Sequence, residues 1–172
     1  MIESIPKPNF WRAPIDNDCG NLMQMRYAQW KNCKYVPEIS KNYRDGIYVG
    51  GHQPQLEVKE HSAVVSYTYV MPTTPMTECH ISYEVFGDGR VKTTLTYDPV
   101  KELGDMPEFG VMFKFNADYD HVEWYGLGEA ETYADRKHGA KLGIYKNMVA
   151  DNMAHYMVPQ ECGAKEEVTL AK

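Results

Sequence analysis

The stretch that decides the fold is ISYEVFGDGRVKTTLTYD, residues 81–98. Two runs of alternating apolar and polar side chains flank Gly87, Asp88 and Gly89, residue types that supply the positive backbone angles a tight connection requires. The spacing predicts an antiparallel hairpin. The same period of two recurs upstream in QLEVKE (55–60), AVVSYTYV (63–70) and CHISYEVF (79–86), rich in the β-branched and aromatic residues that pack well on a pleated surface. Downstream it returns in EFGVMFKFNA (108–117) and HVEWYG (121–126). Before residue 55 the period changes: Met23, Tyr27 and Trp30 fall at i, i+4 and i+7, which predicts one short amphipathic helix over residues 21–33. Asp18 and Asn21 are its candidate N-caps. One helix and at least six strands predict a mainly β fold, an antiparallel β-sandwich with one short N-terminal helix.

Length and charge bound the rest. A chain of 172 residues fits a single domain, and neither an internal repeat nor a low-complexity tract breaks it. The proline and glycine clusters YVMPTTPM and GDMPEFG are expected to be loops within that domain. With 24 acidic against 18 basic residues the net charge is −6, which disfavours nucleic acid or an anionic membrane as partner. No apolar run approaches bilayer-spanning length and no signal-like N-terminus is present, so a cytoplasmic protein is expected. Cys19, Cys33, Cys79 and Cys162 show no CxxC spacing and are expected as reduced thiols. His121, His138 and His155 recur at equal intervals, but without a local cysteine or acidic pattern they make no metal spacing.

Three segments are dense in chemistry. The first is PNFWRAPIDNDCG (8–20), whose Asp16, Asn17 and Asp18 read as a metal loop, an acid/base pair or a helix-capping turn. A calcium loop wants further oxygen ligands at alternating positions and a closing glutamate, which CGNLMQM does not supply. The second is WYGLGEAETYADRKHGAKLGIYK (124–146). Gly126 and Gly128 lack the strand-to-helix context and the GK[ST] of a phosphate loop. Glu129 and Glu131 lie two residues apart and have no defined separation of the kind two glycosidase carboxylates need, so ion-paired or solvent-facing carboxylates are expected. The third is YMVPQECGAK (156–165), where Gln160 and Glu161 sit on a proline- and glycine-bounded loop that either lines a pocket or caps backbone groups.

Taken in order, FWRAPIDND, WYGLGEAETYADRKHGAKLGIY and VPQECG resemble the C-terminal module of bacterial β-galactosidases of glycoside hydrolase family 2, the small-chain or small-subunit domain. The family pattern is met at Trp11, Arg12, Ala13, Pro14, Asp16, Asn17 and Asp18, and again at Trp124, Gly126, Gly128, Glu131, Tyr133, Asp135 and Arg136. Cys162 stands where the family has asparagine, and Ala130 where it has a more polar residue.

The resemblance implies a supersandwich related to galactose mutarotase-like proteins. It also implies a parent enzyme that hydrolyses terminal β-galactosides such as lactose with retention. The catalytic glutamates would lie on a (β/α)8 barrel that this chain is too short to contain. Mg and Na would be bound mainly on the barrel part, with no metal residue and no catalytic residue here. This segment is then expected to be noncatalytic and inactive alone, a partner of a barrel domain or large subunit, with the galactoside bound in the assembled enzyme. It is also expected to be an N-terminal piece of its module, with an exposed apolar edge prone to self-association. Trp11, Arg12, Asp16, Asn17, Asp18, Glu131, Tyr133, Asp135, Arg136, Gln160 and Glu161 become interface or pocket-wall candidates, with Trp11 and Arg12 facing a neighbour. The alternative is an independent carbohydrate-binding or sugar-epimerising sandwich of the mutarotase-like kind, for which His138, His155 and Glu161 are the conceivable acid/base members.

Overall fold

The computed structural model describes residues 2–35, 43–44, 47–48, 54–158 and 160–172. Its elements, in chain order, are strand β1 (Lys7–Asn9), helices α1 (Asp16–Gly20) and α2 (Met23–Arg26), a 3₁₀ segment (Ala28–Tyr35), and strands β2 (Tyr43–Arg44) and β3 (Ile47–Tyr48). Then follow β4 (Gln55–Val58), β5 (Ser62–Met71), β6 (Thr77–Phe86), β7 (Val91–Tyr97), β8 (Gly110–Met112), β9 (His121–Gly128), β10 (Lys141–Met148) and β11 (Leu170–Ala171). The chain is mainly β, and every pairing between these strands is antiparallel. Among the described residues no helix is long and apolar enough to cross a membrane.

The contacts divide the chain into two compact units. One comprises Ser4–Ala13 and Asn21–Lys114. Its frame is the meander β4-β5-β6-β7, in which Ile81 lies between Tyr67 and Leu95. Alternation on β6 sends Cys79, Ile81 and Tyr83 inward, where they join Tyr69, Met71, Phe10, Trp30, Cys33 and Leu103 in the core. Aromatic edges lock this core: Trp30 meets Phe10 edge-on at 5.9 Å and Tyr97 edge-on at 5.8 Å.

The hairpin forms where it was expected. Phe86 and Arg90 are joined by a backbone bond of 2.9 Å, and the Gly89 amide returns to the Phe86 carbonyl at 3.0 Å. Only Gly89 of the three turn residues has a positive φ, 89°, the left-handed residue of a three-residue loop. Gly87 contributes no such angle, and Asp88 instead accepts the Arg90 amide at 3.1 Å and its Nε at 2.7 Å.

The helix expected over 21–33 exists as the four-residue α2 followed by the 3₁₀ segment. Leu22, at φ 57°, interrupts it at the start. Its apolar stripe is nevertheless real: Met23 and Trp30 are buried and Tyr27 packs against the core. The cap lies one helix earlier. Asp18 Oδ2 accepts the Ile15 amide at 2.9 Å, which satisfies a donor at the start of α1, while Leu22 at the start of α2 offers no side-chain cap.

The second unit comprises Met1–Glu3, Pro14–Gly20 and Phe115–Lys172. It holds a three-stranded sheet, β10-β9-β11, with β9 central. Tyr145 pairs with Trp124, Gly143 with Gly126 and Lys141 with Gly128, so these six residues share one face. The other face carries Tyr125, Leu142, Ile144 and Leu170, all exposed, beside a Lys146–Glu123 ion pair of 2.7 Å.

Candidate functional site

Gly128 of WYGLGEAE and Gly143 of the neighbouring strand are explained by one aromatic ring. A Cβ on Gly128 would stand 2.6 Å from the Tyr145 ring, and one on Gly143 would stand 3.2 Å from it. The ring therefore lies flat on bare backbone, an arrangement that shields a glycine-rich sheet region from water. Its hydroxyl donates to the Lys141 carbonyl at 2.8 Å, and Trp124 packs beside it at 5.6 Å between ring centres. Gly126 has a different reason: its Cβ would meet the backbone of Val168 at 2.9 Å, where the chain passes into β11. Trp124, buried, donates its indole N–H to the Leu127 carbonyl at 3.0 Å.

Beyond β9 the chain turns and brings Glu131 against two distant partners. Its Oε2 accepts the Tyr156 hydroxyl at 2.5 Å and Arg136 Nη1 at 3.0 Å; its Oε1 accepts the Gly163 amide at 2.9 Å. Arg136 Nη1 also donates to the Tyr156 hydroxyl, and the guanidinium lies 5.2 Å from the Tyr156 ring and 6.0 Å from that of Tyr133. The glutamate side chain is 13% exposed and the arginine 42%. Desolvation pushes the Glu131 carboxyl up, but the Tyr156 hydroxyl, the Gly163 amide and the charges of Arg136 and Lys165 outweigh it, and the net shift is down. The same bond to Glu131 holds the Tyr156 phenol up.

Two neighbours complete the arrangement. Burial depresses the Lys165 ammonium, which Glu131 partly offsets; it donates to the Glu129 and Ala130 carbonyls at 3.2 and 3.1 Å and sits 5.0 Å over the Trp124 indole. Thr132, fully buried, donates its amide to the Ala164 carbonyl at 3.0 Å and accepts the Glu166 amide at 2.6 Å. Gly163 adopts φ 82°, and a Cβ there would meet the Asn152 carbonyl at 2.9 Å, so only glycine fits this corner comfortably.

Gly128, Glu129, Ala130, Glu131, Thr132, Arg136, Lys141 and Tyr145 border a cleft of about 370 Å³. Of the sequence candidates, the structure thus brings together Glu131, Arg136 and Tyr133. Asp135 is exposed, with Arg136 Nε 4.0 Å away. In the loop 156–165 the bonds to Glu131 come from Tyr156 and Gly163, while Gln160 is exposed and Glu161 half-buried. Asp16 and Asn17 are exposed on α1, Asp18 caps it, Trp11 packs half-buried against the core of the first unit, and Arg12 is half-buried. His138 lies in a 3₁₀ turn and His155 in irregular chain, both exposed. Among the described residues no three His, Cys, Asp or Glu side chains gather to hold a metal ion. Tyr145, Tyr156, Gly163 and Lys165 were not identified from sequence, since each gains its role from a contact that no local pattern encodes.

Comparison with known proteins agrees with the resemblance. The family described as "Beta galactosidase small chain" matches residues 1–172. A β-galactosidase of Priestia megaterium is 34% identical over 171 residues, 99% of this chain and 15% of that protein. One from Halalkalibacterium halodurans is 36% identical over 181 residues, 100% of this chain and 16% of that protein. A β-galactosidase small subunit of Latilactobacillus sakei is 30% identical over 166 residues, 92% of this chain and 52% of that subunit. The chain therefore spans about 15% of the length of the Priestia relative and about half of the small subunit.

Proposed function

The chain belongs to the β-galactosidase small-chain family, and from that premise we propose that it is the noncatalytic β part of a β-galactosidase acting on terminal non-reducing β-D-galactosides such as lactose. In this reading it packs against a (β/α)8 barrel, on the same polypeptide or on a large subunit, and helps to shape the active site there. Any Mg or Na the assembled enzyme uses belongs to that barrel part.

The observation that carries the reading is the state of Glu131. A glycosidase acid needs a raised pKa, and both of its carboxylates need a clear approach to the scissile bond. Glu131 fits neither requirement: its lowered pKa is the reverse of what the acid needs, and both of its oxygens are engaged, by Tyr156, Arg136 and Gly163, which leaves no clear approach for a nucleophile. Such a group fastens a loop. The shares of length point the same way, because in the Priestia relative most of the polypeptide lies outside the matched part.

The test is hydrolysis of o-nitrophenyl β-galactoside by the chain alone, by a barrel-bearing large subunit of a relative alone, and by the two mixed. Activity gained only on mixing supports the proposal. Turnover by the isolated chain would overturn its noncatalytic character, and absence of both gain and association would overturn the partnership.

A further inference from the structure

We propose that the cleft beside Tyr145 is an ancillary binding site for a neutral pyranoside. The inference rests on the preceding reading only for the choice of galactoside as the first sugar to try. Every residue that borders the cleft belongs to one compact unit, and its volume of about 370 Å³ falls in the lower range of small-molecule sites.

Its wall is an aromatic ring held by packing on one side and by a hydrogen bond at its tip. Glycine backbone at 128 and 143 packs against the Tyr145 ring, and the hydroxyl is tied to the Lys141 carbonyl. A fixed ring offers an apolar surface to the C–H face of a sugar without paying to order it. The charged groups select against ions. Two carboxylates, Glu129 and Glu131, are matched by two cations, Arg136 and Lys141, so the lining has no net charge. An anion meets the carboxylates and a cation meets the guanidinium and ammonium, whereas a neutral polyol donates to the former and accepts from the latter. Glu129 and Lys141 are exposed and Arg136 is 42% exposed, so their polar ends are within reach of a ligand, while Glu131 is occupied and serves to hold Arg136 in place.

The experiment is an NMR titration of the intact, isotopically labelled chain with methyl β-D-galactopyranoside, with inorganic phosphate as the charged probe. The expected result is saturable shifts at Gly128, Glu129, Lys141 and Tyr145, with a dissociation constant of about 1 to 10 mM, and no saturable response to phosphate. Tyr145→Ala abolishes the response. Because that change also uncovers the glycines, Glu129→Gln and Lys141→Ala serve as surface variants, each expected to weaken binding at least about threefold with the spectrum otherwise retained. No saturable shift up to about 100 mM sugar, phosphate binding at the same residues, or unchanged affinity in both surface variants would overturn the site. The outcome is independent of mixing with a large subunit: sugar binding with neither activity gain nor association sinks the preceding reading alone, and activity gained on mixing without sugar binding sinks this one alone.

Discussion

Replacing Glu131 by alanine is expected to release the loop that ends at Gly163 while leaving the rest of the fold in place. The part-buried Gly163 amide donates to a carboxylate at 2.9 Å, a charge-assisted bond worth about 2 kcal/mol. The pair with exposed Arg136 is solvent-screened and adds nothing to this figure. At about 1.4 kcal/mol per tenfold, losing that bond accelerates hydrogen exchange at Gly163 about thirtyfold, provided exchange reports local opening. Glu131→Gln keeps an acceptor but not its charge, so roughly half the energy and about a fivefold acceleration are expected. A second variant, Tyr156→Phe, shares the same carboxylate, so its effect on Gly163 exchange must be non-additive with Glu131→Gln.

The pH dependence has a definite sign. Glu131 has a folded pKa below the ordinary 4.5, so the clamp's contribution is fully present above that value and is lost as pH falls through the lower, folded pKa. The Gly163 amide resonance should therefore titrate with a midpoint under 4.5. Exchange at Gly163 within twofold of the parent in Glu131→Ala, or a midpoint above 4.5, would refute the reasoning.

The remaining predictions concern packing, thiols and association. Gly128→Ala places a Cβ 2.6 Å from the Tyr145 ring and should cost about 1 to 3 kcal/mol of stability, whereas Gly139→Ala meets nothing within 4 Å; equal melting temperatures for the two would count against the ring's position. Cys33 and Cys79 are each pushed by burial up to about 12, so alkylation at pH 8 followed by mass spectrometry should label exposed Cys19 first. Labelling of Cys33 or Cys79 at the rate of Cys19 in the folded protein would contradict the core. Leu142 and Ile144 stand exposed on the sheet β10-β9-β11, and converting both to lysine should lower the associated fraction seen by sedimentation; an unchanged fraction would place any association elsewhere.

The β meander was readable because each strand carries its own period of two and the loop at Gly89 announces the reversal. Strand β9 was readable for the same reason. Strand β10 went unassigned, because Gly143 and the two lysines Lys141 and Lys146 weaken the strand pattern of 141–148; its order comes from β9, which pairs with it along its whole length. The stripe Met23, Tyr27 and Trp30 revealed which side chains go inward without revealing the backbone, since burial fixes a face but Leu22 and the 3₁₀ turns fix the path. The site was harder for a related reason. Glu131 was visible as an acid beside Glu129, but the residues that define it, Tyr156 and Gly163, lie 25 and 32 positions away. A single sequence records the type of each residue and not the meeting.

The placement of the tryptophans gives each compact unit its own optical reporter. Trp30 lies in the core of one unit, and Trp124 is buried in the other beneath the Lys165 ammonium. With Trp11 and one of these two changed to phenylalanine, the emission of the survivor follows the melting of a single unit. Two coincident curves would describe one cooperative transition, and two separated curves would give the order in which the halves let go.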